Sequence, residues 1–517
     1  MRKHWVPTFV AVAAVSAGAF AACSSDSSED VGAWDGYGGS SSGTTSSTSG
    51  GTSTSSSSGS SGTGGAGAGS PNPVAPPGQD AGPDAEFTCE GLDPNSPVVL
   101  YISADDSNSM ASPGHAREAL NSGQAPLLGI RTYEFLNYYN IEYPAAALGQ
   151  LDIFPQMEAA TEAGHYDLQI AVRSFDAVQP RRPMTITFVL DTSGSMGGPA
   201  IERERAVVKA IAASLADGDV VSMVTWNTSN NVEMSGHVVS GPNDSTLVAA
   251  ANALSANGGT DMHAGLVAGY DLADQHYGDS RLNRLVLISD GMANAGVTDM
   301  DLIANHSEDG DGEGVYLVGV GVGPYNVYND ELMDTVTDEG RGAYVYVDSI
   351  DEATSLFVNR FDEVMEVAAR GVQVELTLPW YFEMHKFFGE EYSENPAEVK
   401  PQHLAPSDAM IFSQIIRACD PNEVVLSDQV TVKATWETPL TYALDETEIT
   451  MTLDQLLSGD TVQLHKGKAI VAYAEALKTG TNPDLTAALT VVEGANPNNS
   501  DAELNEIADL IQAHPSY

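Results

Sequence analysis

MTITFVLDTSGSMGGP, residues 184–199, runs seven residues without a charge and then meets a carboxylate, Asp191, followed by hydroxyls at Ser193 and Ser195 and a glycine pair before Pro199. The uncharged run reads as a buried strand, and IERERAVVKAIAASLA behind Pro199 reads as an amphipathic helix. The same alternation continues to about residue 368. DVVSMVTWN is followed by a hairpin-like NVEMSGHVV, MHAGLVAGYDLADQHY by LNRLVLISDG, MDLIANHS by VYLVGVGVG, and NDELMDTVTDEG by AYVYVD, with DEATSLFVNRFDEVMEVAA closing the series. Near-continuous apolar strands separated by amphipathic helices predict a doubly wound α/β fold, a mostly parallel sheet covered on both faces.

The flanks have a different period. Upstream, VVLYISA (98–104) predicts a strand, REALNSG a short helix, RTYEFLNYYNIEYP (131–144) an aromatic helix ended by Pro144, and YDLQIAVRSFDA a half-buried strand. Downstream of Arg370, GVQVELTLPW, AMIFSQIIRA, QVTVKATWET and DTVQLHKGK read as strands, while KAIVAYAEALKTG and ELNEIADLIQAH read as helices. The expected organisation is therefore 87–183 as an N-terminal β-rich flank with helices, 184–368 as the α/β domain, 369–470 as a β-rich domain and 471–517 as C-terminal helices. Strands on both sides of the α/β block suggest that it is inserted into one β-domain built from both flanks.

The chain has 517 residues, with 22 Lys and Arg against 71 Asp and Glu, a formal charge of −49. Such a surface argues against nucleic acid or an anionic membrane as partner, because both need a basic face. Residues 1–22 read as a signal peptide, with a basic start and an apolar run from Trp5 to Ala22. Phe20-Ala-Ala-Cys23 resembles a bacterial lipobox, which implies a lipidated Cys23 and an outer-membrane lipoprotein or cell-surface location. Cleavage after Ala21, giving a secreted or periplasmic protein, is the alternative. Residues 23–86 are rich in Ser, Gly and Pro with no apolar period, a disordered tether reaching roughly 45 Å as a random coil. Cys89 and Cys419 then remain as one disulfide or as two buried thiols.

Ligands of open α/β sheets bind at the carboxyl ends of the strands. Asp191, Ser193 and Ser195 stand at such an end. Thr260, in the Gly-rich turn NGGTDMHAG, and Asp290, closing LVLISDG, are the candidates to join them. All five are hard oxygen donors, a set that suits Mg²⁺, with Mn²⁺ or Ca²⁺ as alternatives, and disfavours Zn²⁺ and Cu²⁺.

These residues resemble the metal-ion-dependent adhesion site (MIDAS) of von Willebrand factor type A domains, in which Asp-x-Ser-x-Ser, a distant Thr and a distant Asp converge on a metal. RTYEFLNYYNIEYP and YNVYNDELMDTVTDEGRGAYVYVDSIDEA further resemble the bacterial YfbK-type subgroup. The resemblance implies a non-catalytic, surface-anchored adhesion protein presenting a divalent cation to an acidic side chain of a protein partner. Two other readings stand beside it: a hydrolase using the ion to activate water, and an envelope scaffold with a purely structural metal.

Several signals are discounted. The echo DDSNSM (105–110) has no later Thr turn or Asp-Gly strand end before Asp191 and reads as a capped turn. SEDGDGEG offers Asp309, Asp311 and Glu313, but Val320 stands where a calcium loop needs a bidentate Glu. GVGVG (319–323) reads as a close-packed strand end. His237 and His263 are expected to be structural or exposed, Met196 to pack under the turn, and Asn227 and Thr228 to lie where a partner could touch them.

Overall fold

The computed structural model describes residues 87–105, 108–127, 129–292, 300–307 and 314–517. The expected leader, Cys23, the tether and the acidic residues Asp309, Asp311 and Glu313 lie outside them.

A six-stranded sheet runs in the spatial order Asn230–Val238, Val220–Trp226, Met184–Asp191, Leu282–Ser289, Tyr316–Gly321, Arg341–Tyr346. Neighbours are parallel except at the edge strand Asn230–Val238, which returns antiparallel. Met184–Asp191 and Leu282–Ser289 are buried at every position. Alternate side chains of the first strand feed opposite cores: Ile186, Phe188 and Leu190 pack with Val207, Ile211 and Leu247 of the helices Pro199–Ser214 and Ser245–Ala253. Val189 packs with Leu266, Tyr270, Met333 and Val336 of Met262–Gln275 and Asp330–Gly340. Helices on both faces explain why both faces of these strands are buried. The winding direction reverses beside Met184–Asp191, which places Asp191 at the switch point where such sheets take ligands.

The flanks build two antiparallel sheets together. Val98–Ser103 pairs with Ala369–Leu378, with Leu100 opposite Leu376. His165–Arg173 pairs with Ala409–Ala418, in register from Ala409 opposite Arg173 to Arg417 opposite His165. Leu100, Ile170, Val374, Phe412 and Trp436 meet in the core between the two sheets. The α/β block thus leaves from one strand of this sandwich and returns to another. Cys89 and Cys419 are bonded, with Cα atoms 5.0 Å apart across 330 residues of sequence.

Four readings of the flanks are corrected. The aromatic helix spans only Thr132–Tyr138. Beyond it Tyr139, Ile141 and Tyr143 are buried while Asn140 and Glu142 are exposed, an extended period of two that NIEY already carried. His165–Arg173 is buried on both faces from Leu168 onward because C-terminal helices cover its outer side, where Ala171 meets Ile470 and Tyr473. DTVQLHKGK is not a strand: Val462–Thr479 is one helix, so the helical tail begins before residue 471. Its buried Leu464, Gly467, Val471, Ala474 and Leu477 recur at spacings of three and four, and the local alternation V-Q-L-H concealed that period. Asp152–Ala159 and Leu444–Thr452 are strands that the sequence did not announce, both at sheet edges, the first holding Pro155 and the second alternating with acidic side chains.

Gly265 and Gly269 let the helix Met262–Gln275 lie directly on the sheet. A Cβ on Gly265 would meet the Trp226 ring at 2.6 Å, and one on Gly269 would run into Val189. Because this helix starts two residues after Thr260, its seating sets where Thr260 stands. Gly269→Val should cost about 1–3 kcal/mol in denaturant unfolding through overpacking. Wild-type stability in this variant would show that the close approach is not required.

Candidate functional site

Asp191 is fully buried at the end of its strand. Its Oδ1 accepts the Ser193 backbone N–H at 2.9 Å and its Oδ2 accepts the Ser289 hydroxyl at 2.7 Å. Ser289 in turn accepts the Gly291 N–H at 3.0 Å, so the neighbouring strand end holds both the Asp191 carboxylate and the turn behind Asp290. Asp290 is 1% exposed and accepts the Met292 N–H at 3.0 Å. Ser193 is buried, Ser195 is exposed, and their hydroxyl oxygens stand 3.0 Å apart in the turn before Pro199.

The Gly-rich turn bearing Thr260 is fastened to this turn by backbone. Gly194 N–H donates to Gly258 O at 3.1 Å and Asn257 N–H to Thr192 O at 2.8 Å. Asn227 and Thr228 complete the fastening, since Asp261 N–H donates to Asn227 O at 3.0 Å and Gly259 N–H to the Thr228 hydroxyl at 2.7 Å. These two residues therefore position the turn. Thr260 is 7% exposed, and Asp261 caps the following helix by accepting the Ala264 N–H at 3.1 Å. Two strand ends thus carry Asp191, Ser193, Ser195 and Asp290, and the turn between the helices Ser245–Ala253 and Met262–Gln275, which bears Thr260, is tied to the first of them by backbone.

The electrostatics of that edge are unbalanced. Burial pushes the Asp191 carboxyl up to about 6, and the charge of Asp290 adds to the effect against the hydrogen bonds from Ser289 and Ser193. Glu204, on the helix Pro199–Ser214, is fully buried, neither of its oxygens has a hydrogen-bond partner among the described residues, and burial and Asp191 hold its carboxyl well above the usual range. Sequence reading missed both Ser289 and Glu204. The signal for Glu204 was its place on the apolar stripe Ile201, Glu204, Val208, Ile211, where a carboxylate does not belong. Among the described residues, neither Asp191 nor Asp290 forms an ion pair. A hard cation would suit this donor set: the candidate donors are oxygens only, the carboxylates are buried together without a counter-charge among the described residues, and one hydroxyl faces solvent.

The discounted signals have structural employment. Asp105 is buried and accepts the Ser109 N–H at 2.5 Å and the Asn137 amide at 2.9 Å, while Glu134 accepts the Ser112 N–H at 2.6 Å at the start of the helix Ala111–Asn121. His237 Nε2 lies 2.9 Å from Asp244, the cap of the helix Ser245–Ala253. Met196 is buried in the core beneath the turn. Within GVGVG, a Cβ on Gly323 would meet that of Asp290 at 2.8 Å, so this glycine lets the next strand end close over the site.

The raised Asp191 carboxyl has a sign. In metal-free buffer the folded chain holds this proton more tightly than the unfolded chain, whose carboxyl titrates near pH ~4. Its contribution to stability is therefore intact below that pH and lost as pH rises through about 6. Asp191→Asn should remove about 3 kcal/mol of stability loss across that window relative to wild type, measured by denaturant unfolding at pH 4 and pH 7 in chelator. Parallel pH profiles for the two proteins would contradict it.

The sequence profile of the von Willebrand factor type A domain matches residues 185–359. The chain is 26% identical over 307 residues to the uncharacterized protein YfbK of Escherichia coli (strain K12), covering 56% of this chain and 52% of YfbK. It is 24% identical over 223 residues to the uncharacterized protein sll0103 of Synechocystis, covering 43% of this chain and 51% of that one. The chain thus spans about half the length of the curated relatives it matches. Among solved structures, a von Willebrand factor type A protein from Catenulispora acidiphila aligns with a TM-score of 0.43 at 13% identity, covering 69% of this chain and 89% of that one. Residues 185–359 are a von Willebrand factor type A domain, and over a longer stretch the chain is similar to YfbK and sll0103.

Proposed function

We propose that this chain is a non-catalytic binding protein whose A domain holds a divalent cation, Mg²⁺ in the first instance and Mn²⁺ or Ca²⁺ as substitutes, at Asp191, Ser193, Ser195, Thr260 and Asp290. The observation that carries the reading is the buried Asp191 and Asp290 pair, which lacks a counter-charge among the described residues and stands beside the exposed Ser195 hydroxyl. With three of five ligands neutral, a bound ion keeps enough electrophilicity to accept a carboxylate from another protein. Von Willebrand A domains generally mediate protein–protein interaction, which supports a protein as the partner. An acidic side chain gains there because its desolvation is offset only where an ion has an open position.

No helix among the described residues is long and apolar enough to cross a membrane. Display at the cell surface rests, in this proposal, on lipidation of Cys23.

Cation binding to the folded state alone raises stability by mass action, about 2.7 kcal/mol at a hundredfold excess over Kd. Millimolar Mg²⁺ should raise the Tm of wild type, and EDTA should reverse it. Asp191→Ala should abolish the Mg²⁺ response and all Mg²⁺-dependent capture of an envelope or extracellular protein, with the far-UV spectrum unchanged. Partner capture that survives EDTA would overturn the proposal.

A further inference from the structure

At the opposite edge of the parallel sheet from Asp191, where strands begin, a cleft of about 430 Å³ lies between the A domain and the sandwich. Arg341, which opens the last strand of the parallel sheet, reaches it from the A domain, and Arg370, Lys400 and His403 reach it from the sandwich. Only 22 residues of the chain are Lys or Arg against 71 acidic ones, so three of them in one cleft is a local concentration of positive charge. Asp338, Glu339 and Glu437 line the same cleft, which makes it balanced where the chain as a whole is strongly negative.

Local backbone structure presents these groups. The strand Ala369–Leu378 loses register against both neighbours at one place, between Ala369 and Val372 on one side and between Arg370 and Gln373 on the other. Gly371 sits in this bulge at φ +54°. Bulges re-aim side chains and collect beside binding sites. Here the bulge carries Arg370, and the freed Gly371 N–H donates to His403 Nδ1 at 3.0 Å. That bond fixes the tautomer: a neutral His403 carries its proton on Nε2, which is buried and has no partner among the described residues. Burial together with Arg370, Arg341 and Arg284 keeps the imidazole neutral, pushed down to about 3, and no carboxylate ranks among the groups acting on it. The Arg284 guanidinium lies 5.0 Å from the Tyr316 ring, which itself lies 5.0 Å from His403.

We infer that the cleft between the A domain and the sandwich binds a small anion bearing a phosphate or carboxylate group, held by Arg341, Arg370 and Lys400 around His403. Guanidinium groups match both oxyanions in geometry, and clefts between domains are common ligand sites. The site is separate from the proposed cation site and shares no residue with it.

Isothermal titration of the folded chain with inorganic phosphate and, separately, with succinate, at ionic strength held constant with NaCl, tests this. Saturable binding of either anion is expected, and which of the two binds decides between the two sources. Lys400→Gln and Arg341→Gln, both changes at exposed positions, should each weaken it about tenfold. Asp191→Ala, and EDTA added to wild type, should leave it unchanged, which separates this inference from the cation proposal. Absence of saturable binding for both anions would overturn it. So would wild-type affinity in both cleft variants, the mark of an adventitious ion only, and so would loss of anion binding in Asp191→Ala.

Discussion

The structure turns on one uncompensated charge. Asp191 ends a strand buried on both faces, at the point where the sheet's winding reverses, and the sheet gives it no cation. Burying a carboxylate in that way is costly unless its oxygens are hydrogen-bonded or an ion is present. Ser289 and the Ser193 N–H satisfy part of the requirement, and the cross-links from Gly194 to Gly258 and from Asn257 to Thr192 hold further oxygen donors close by. Glu204 beneath adds a second buried carboxylate without a partner among the described residues. These contacts gather buried carboxylates and hydroxyls into one acidic cradle.

Around this cradle the flanking domain is more than an attachment. The helix Ala111–Asn121 docks on the last strand of the parallel sheet, with Met110 N–H donating to Tyr344 O at 2.7 Å. Arg117 bridges Asp348 at 2.6 Å and Glu352 at 2.8 Å, and Arg131 reaches Asp330 at 2.7 Å. Arg203, paired with Glu118 of the flank at 2.5 Å, also donates to Gly323 O at 3.2 Å, and Gly323 lies against Asp290. Half-buried ion pairs of this kind specify an orientation more than they add stability. They orient the inserted domain on its sandwich and reach the loop that backs the site.

The α/β block was legible because its evidence is redundant. Each buried strand is predominantly apolar, and each helix carries its own stripe, so strand order was the chief feature left to the structure. The five candidate site residues were read from chemistry and chain order; backbone bonds tie the Thr260 turn to the Asp191 turn, and Ser289 joins Asp191 to the strand end that carries Asp290. The flanks were less readable because their periods conflict locally. NIEY alternates inside an aromatic run that looks helical, and V-Q-L-H alternates at the start of a helix whose true period shows only when Gly467, Val471 and Ala474 are included. Leu444–Thr452 escaped because an edge strand needs only one apolar face, and acidic residues mask it. Ser289 and Glu204 escaped for another reason: their importance lies in what they touch or fail to touch, and only coordinates show that.

Anomalous diffraction from the folded chain soaked in Mn²⁺ would show whether a cation occupies the end of the strand that Asp191 closes. The account predicts one strong peak among Asp191, Ser193, Ser195, Thr260 and Asp290 and none at the echo around Asp105, whose carboxylate is already committed to Ser109 and Asn137. No peak at Asp191, or a peak at Asp105 in its place, would contradict it.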